Sequence, residues 1–265
     1  WQKTHEQIQK HLVPVIDSNP ITVLQGFIGK SETGSVVTLG REGSDYSAAI
    51  IAYCTDAESV TIWKDVDGVL NADPKFFADT QIIENISYAD AVEMAYYGAS
   101  VIHPKTIKPL ENKNIPLYVK PFANPSAAGT VIKSTPVKLP IPVNIFKTNQ
   151  VLISIYPNDF SFIAEENLRD IFSLFADLKI SINLMQNTAI SFSVVIDYHP
   201  EKLDSLIGGL QKYFKVRYNA GLELITIRNF NEATIKKILG GKKILLEQKT
   251  RYNAQFVVRN NNHQK

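Results

Sequence analysis

A proline-bearing stretch, KSTPVKLPIPV at residues 133–143, separates two halves of the chain whose secondary-structure rhythms differ. It holds three prolines and neither a helical nor an alternating apolar pattern, so it reads as a linker of restricted flexibility. Ahead of it, single apolar strands alternate with helices, the rhythm of an α/β layer with a largely parallel sheet. Behind it the order is strand, helix, strand, strand, helix, strand, which is the split βαββαβ arrangement of a ferredoxin-like sandwich.

In the first half, helical spacing from Gln2 to Leu12 leads into the β-branched segment Ile21 to Ile28, which is expected as a strand. Residues 26–44, GFIGKSETGSVVTLGREGS, carry five glycines among hydroxyls and charges, the composition of a loop region built around a polar ligand. Ser44 or Asp45 is expected to cap the next helix, whose buried face is YSAAIIAY. A strand SVTIWKDV, an Asp-Gly turn and a polar loop to Asp79 follow. A further helix then opens on the capping box Ser87-Tyr-Ala-Asp90 and closes on Gly98. A strand at Ile115 to Lys120 comes next, and the half ends near Ile132.

The second half is expected to place strands at Val151 to Tyr156, Ile180 to Met185, Ile190 to Asp197 and Lys215 to Tyr218, with helices over about Glu165 to Leu178 and Pro200 to Phe214. A shorter βαββ set follows: strand Leu222 to Arg228, helix Glu232 to Leu239 and two strands within Lys243 to Val258. Two related units in succession make a weak internal repeat. The second has no final helix before the polar tail, so it is either incomplete or completed by other parts of the chain. The expected division is 1–134, an α/β domain; 135–149, the linker; 150–219, a first α+β unit; and 220–260, a short second one.

Composition removes several classes of function. The 28 Lys and Arg against 26 Asp and Glu give a net charge of +2, too little for a broad surface attracting nucleic acid or anionic lipid. The partners expected are therefore small molecules or proteins, with no nucleic acid and no membrane. No apolar run approaches the roughly 18 residues that span a bilayer, and the first residues lack a signal-peptide core, so the cytoplasm is the expected compartment. The single Cys54, inside AAIIAYC, reads as a buried structural thiol. A chain opening on Trp1 is expected to be a processed or excised piece of something longer.

Three clusters carry chemistry. In TLGREGSDYSAA (38–49), glycines let the backbone approach a ligand, and the following helix offers free N–H groups and a positive dipole end. Arg41 can hold a carboxylate in a bidentate fork, Ser44 can donate a hydrogen bond and Asp45 can orient a cation; the alternative is a capped helix beside a surface arginine. In TIWKDVDGVLNADPK (61–75), Lys64 and Asp65 end a strand and Asp67, Asp73 and Lys75 follow on its loop, beyond the carboxyl end where open α/β sheets bind ligands. The alternative there is an ordinary polar loop. In YYGASVIHPKT (96–106), His103 reads as a cap or packing residue rather than a base.

The ordered runs GREGSDYSAA, IWKDVDGVLNADP, ISYADAVEMAYYGASVIHPKTI, IPLYVK and NPSAAGT, all within residues 40–130, resemble the motif series of aspartokinases in the amino-acid kinase superfamily. The resemblance implies that 1–134 is the carboxy-terminal half of an open-sheet kinase domain, followed by α+β ferredoxin-like ACT domains. It implies transfer of the ATP γ-phosphoryl group to the side-chain carboxylate of L-aspartate, with ATP and a Mg²⁺ ion bound mainly through its phosphates, and no protein-built metal site. By motif match Arg41 and Ser44 hold aspartate and Asp45 organises the reacting centre. Lys64, Asp65, Leu70, Lys75, Ser100 and Val101 fall at nucleotide-contacting positions. The effector positions are Asn158, Asp159 and Phe160, then Ser181, Ile182, Asn183, Asn187, Thr188 and Ile190, for an amino acid such as lysine or threonine bound in a homodimer.

Two departures stand out. Ser100 replaces the lysine of the family's GAKVLHP run, and the KFGGTS motif whose lysine binds phosphates is absent, so this piece alone is expected to be inactive. Asn183 stands where lysine-sensitive relatives often carry Asp, which weakens the case for lysine. The competing reading is a non-catalytic, amino-acid-sensing regulatory module; glutamate and uridylate kinases are disfavoured by the ACT units and the VIHPKT segment.

Overall fold

A computed structural model describes residues 1–99, 101–135, 139–159 and 161–259, which form two compact units, Trp1–Ile141 and Pro142–Lys265. The first begins with helices α1 (Gln2–His11) and α2 (Val13–Ser18) and a hairpin of β1 (Ile28–Lys30) and β2 (Val36–Thr38). Then come α3 (Gly43–Thr55), β3 (Val60–Lys64), β4 (Asn85–Ser87), α4 (Tyr88–Tyr97), α5 (Pro104–Asn112), β5 (Leu117–Pro121) and β6 (Thr130–Lys133). The sheet order is β3-β5-β6-β4, with β3–β5 and β4–β6 parallel and β5–β6 antiparallel. Ile62, Leu117, Val119 and Ile132 of the sheet are buried, as are Ala49 of α3 and Ile107 and Leu110 of α5.

The expected strand over Ile21 to Ile28 is corrected: residues 21–26 run outside any strand, and Ile21 and Val23 are 81% and 90% exposed. β-Branched residues favour a strand only where a neighbouring strand supplies hydrogen bonds and a surface to pack on. The helix expected from Ser44 or Asp45 begins at Gly43, with neither side chain acting as its cap. Other local signals operate as expected. The Ser87 hydroxyl accepts from Asp90 N at 3.0 Å, Gly98 ends α4 at φ 116°, and His103 Nδ1 accepts from Lys105 N at 3.2 Å.

The second unit is one antiparallel six-stranded sheet. It comprises β7 (Val143–Pro157), α6 (Glu165–Asp177), β8 (Ile182–Asn187), β9 (Phe192–Asp197), α7 (Pro200–Leu210), β10 (Phe214–Arg228), α8 (Glu232–Leu239), β11 (Lys243–Lys249) and β12 (Asn253–Arg259), in the order β11-β12-β10-β7-β9-β8. The two central strands, each 15 residues long, pair from Phe214↔Pro157 to Arg228↔Val143. Their register shifts around Leu222, where Asn149 (φ 53°) and Gly221 (φ 68°) adopt left-handed backbone.

Each long strand therefore serves two halves. One half takes the end of β7, α6, β8, β9, α7 and the start of β10; the other takes the end of β10, α8, β11, β12 and the start of β7. This corrects two expected boundaries. Residues 143–149 are strand rather than linker, and the 219/220 division falls inside β10. The polar KTN at 147–149 interrupts the alternation where the strand shifts register, so the sequence reads as a loop there. The short second half is completed from upstream.

Val151, Ile153 and Ile155 pack with Ile171 and Phe175 of α6 and Leu203 and Leu206 of α7. On the other side of β7, Leu152, Leu184 and Val195 join Leu222, Leu224, Leu246 and Val257 in one buried cluster that ties the two halves together. Each such Leu, Ile or Phe stabilises the fold by about 1.5–3 kcal/mol.

Candidate functional site

The turn between β2 and α3 is the first site element. Gly40 (φ 74°) and Glu42 (φ 54°) both take left-handed backbone, and Phe27, which packs against this turn, does so too at φ 74°. A Cβ on Gly43 would lie 2.7 Å from the Phe27 ring, so any larger residue there would displace that ring. Arg41 projects from this turn with its side chain 75% exposed, 3.9 Å from Glu42 Oε1. Ser44 is exposed in the first turn of α3, where backbone N–H groups lack helical partners and favour anions.

Asp45 lies one residue further along. Its Oδ2 accepts from Lys64 Nζ at 2.7 Å, in an ion pair whose side chains retain 15% and 23% exposure. The pair joins the first turn of α3 to the carboxyl end of β3, so the structure brings together two residues drawn from separate motifs. Asp65 is exposed at the start of the following loop. That loop is anchored by Thr130, whose buried hydroxyl accepts from Val69 N at 2.8 Å. A Cβ on Gly68 would lie 2.8 Å from the same oxygen. Leu70 bridges to Ile82, and Lys75 sits exposed on a turn in which its N donates to Asp73 Oδ1 at 2.8 Å. Val101 lines an apolar recess with Val69, Ile86, Met94 and Ile102. Ser100 lies outside the described residues.

Two residues that sequence reasoning passed over belong to this corner. Glu42 Oε2 is buried without a hydrogen-bond partner among the described residues. Lys105, from α5, donates from Nζ to Leu39 O at 3.1 Å. The one advance signal for Glu42 was a long side chain within a glycine-flanked turn; nothing near Lys105 in sequence pointed to residue 39. Among the described residues no group of three or more His, Cys, Asp or Glu is placed to hold a metal ion, and no helix is long and apolar enough to cross a membrane.

In the second unit, the segment before α6 meets the β8–β9 turn where Ile163 N donates to Ala189 O at 2.9 Å. Asn158 Nδ2 donates to Tyr213 O at 3.0 Å, and the Asp159 carboxyl is held below its ordinary range by hydrogen bonds from Ser161. Phe160 lies outside the described residues. Asn187 and Ile190 are exposed, and Thr188 is bonded within the turn to Ser191. Ser181 is exposed and Ile182 half-buried.

Asn183 is engaged elsewhere. Its Nδ2 donates to Gln150 Oε1 and Asp197 Oδ1 at 2.8 and 3.0 Å, and its Oδ1 accepts from Lys147 Nζ at 2.8 Å. Burial pushes the Lys147 ammonium below its usual range, with Asp197 opposing.

Residues 1–121 match the model of the amino acid kinase family. The chain is 31% identical over 215 residues to the lysine-sensitive aspartokinase 3 of Escherichia coli, covering 78% of this chain and 48% of that protein. In structure it is similar to E. coli aspartokinase III in complex with aspartate and ADP, at a TM-score of 0.79 and 27% identity over 96% of this chain and 60% of that one. It is also similar to the aspartate kinase of Clostridium acetobutylicum, at 0.82 and 26%, over 97% and 63%. The chain thus spans less than two thirds of the length of each.

Proposed function

We propose that the chain, whose residues 1–121 match the amino acid kinase family and which is similar to aspartokinases, is part of a polypeptide that transfers the γ-phosphoryl group of ATP to the side-chain carboxylate of L-aspartate, giving 4-phospho-L-aspartate. The observation that carries the reading is the 2.7 Å Asp45–Lys64 pair at the carboxyl end of β3, beside the Arg41–Ser44 turn.

A side-chain carboxylate with a pKa of about 3.9 is ionised at neutral pH, so the nucleophile needs no base. Its oxygen forms the new bond to the γ-phosphorus, the bond to the bridging oxygen breaks, ADP leaves, and no proton moves. The obstacle is repulsion between anions, and the residues' work is alignment and charge neutralisation. Arg41 and Ser44 hold the aspartate. Asp45 fixes the Lys64 ammonium, which with Lys75 and Asp65 meets the nucleotide, while Leu70 and Val101 border its base. Mg²⁺, held through the ATP phosphates, supplies further neutralisation when bound.

Aspartate-dependent ADP release tests this. A polypeptide extended upstream through a KFGGTS segment should turn over, and the 265-residue chain alone should not. Turnover by the chain alone would refute its dependence on that segment, and silence of both would refute the kinase reading.

The second unit is assigned as a pair of interleaved ACT-type, ferredoxin-like halves that bind an amino-acid effector around Asn158, Asp159, Thr188 and Ile190. Lysine and threonine added to the same assay identify which one inhibits. Asn183, neutral and already bonded to Lys147, offers no charge to a cationic side chain. The open edge of β8, with Met185 52% exposed, is the surface through which two copies would pair as a homodimer. Light scattering that returns a monomer across micromolar concentrations would rule that assembly out.

A further inference from the structure

We infer that Lys105 is a positioning residue for the substrate turn, clamping it from α5 so that Arg41 and the start of α3 are held ready for an anionic ligand. The reasoning starts from strain. Phe27 and Glu42 are non-glycine residues with φ of 74° and 54° at one corner, beside Gly40 at 74°. Left-handed backbone is unfavourable for such residues and persists only where the surroundings impose it.

Two sets of contacts impose it here. From one side Phe27 O accepts from Leu39 N at 2.8 Å, Phe27 N donates to Ser47 Oγ at 2.9 Å, and Ser47 Oγ donates to Gly43 O at 2.9 Å. From α5 comes Lys105. Its ammonium donates to Leu39 O at 3.1 Å, lies 5.7 Å from the centroid of the Tyr46 ring, and would be 3.8 Å from a Cβ on Gly40. It thus grips the residue before the turn and faces a ring in the first turn of the helix after it. A charge-assisted hydrogen bond and a cation over an aromatic face are both among the stronger side-chain contacts. Lys105 is itself placed by the His103 cap, which orders the first turn of α5.

The geometry makes Lys105 act through Leu39 and Tyr46 and not by touching the reacting atoms. Its loss should loosen the turn while leaving the Asp45–Lys64 pair intact. The kinetic part of the inference rests on the aspartate reading above; the structural part does not.

The test compares Lys105→Met and Lys105→Arg with the parent. In the 265-residue chain, hydrogen exchange is followed at the amides of Leu39 and Tyr46, which bond to Phe27 O and Glu42 O. Exchange there should quicken about tenfold in Lys105→Met and return toward the parent rate in Lys105→Arg, with circular dichroism unchanged in both. In the upstream-extended polypeptide, Lys105→Met should raise KM for aspartate about tenfold and change kcat by less than about twofold, again with rescue by arginine. Unchanged exchange in Lys105→Met, or equal loosening in Lys105→Arg, overturns the inference. Faster exchange rescued by arginine, in a protein that never uses aspartate, upholds the clamp and refutes the aspartate reading. Should Lys105→Met not fold, Lys105→Gln is read by the same exchange measurement and judged by the same outcomes.

Discussion

Asp45→Asn, placed in the upstream-extended polypeptide, should lower kcat on the order of a thousandfold, or about 4 kcal/mol of barrier, with KM for aspartate little changed. The carboxylate and the Lys64 ammonium are 2.7 Å apart and largely shielded from water. Asparagine keeps the shape and a hydrogen-bond acceptor but removes the charge that holds the ammonium. The cation then relaxes toward solvent, and the neutralisation needed when two anions meet is lost from the place where charge develops. Because Arg41 and Ser44 are untouched, ground-state affinity survives. A variant whose kcat stays within threefold of the parent would remove Asp45 from the reaction.

The second large effect is structural. Gly129→Ala should destabilise the first unit by about 3–4 kcal/mol, lowering its melting temperature by about 10 °C. Gly129 has φ 66°, and a Cβ there would sit 2.2 Å from Val119 O and 3.2 Å from Lys120 Cα. Those are backbone atoms of the neighbouring β5, so no side chain can swing aside. Thr130, the next residue, holds Val69 N and thereby the loop after β3, so the candidate nucleotide loop should loosen with it. Both tryptophans, Trp1 and Trp63, lie in this unit, so tryptophan fluorescence follows its unfolding separately from the second. Gly208→Ala, in α7 with open space around the added carbon, is the control and should be neutral or slightly stabilising. A Gly129→Ala protein melting within about 2 °C of the parent would overturn the steric argument.

Much of the candidate site could be read from the order of residues because its motifs are local. Lys64 ends a five-residue strand, and Asp45 sits four residues past Arg41 in a turn that holds Gly40 and Gly43. Such spacings survive folding unchanged. β4 and β6 went unrecognised because three or four residues carry too little alternation to be seen. Lys105 could not be assigned to the turn from the sequence, since its partner Leu39 lies 66 residues away. Asn183 is an effector position by motif match alone, and the bonds of its side chain to Lys147, Gln150 and Asp197 come from residues 14 to 36 positions away that no local pattern links to it.

What the sequence determined by itself was mostly set within a few residues: the Ser87 cap and Gly98 stop of α4, the βαββαβ order behind the prolines, and the residue types of the turn before α3. The tertiary structure alone decided which strands found partners. It left residues 21–26 unpaired, carried β7 and β10 through boundaries that looked like linkers, and returned residues 143–147 to complete the last half. The difference is physical. Caps and helical periods are satisfied by hydrogen bonds between near neighbours, while a strand exists only when a distant segment supplies the other half of its ladder.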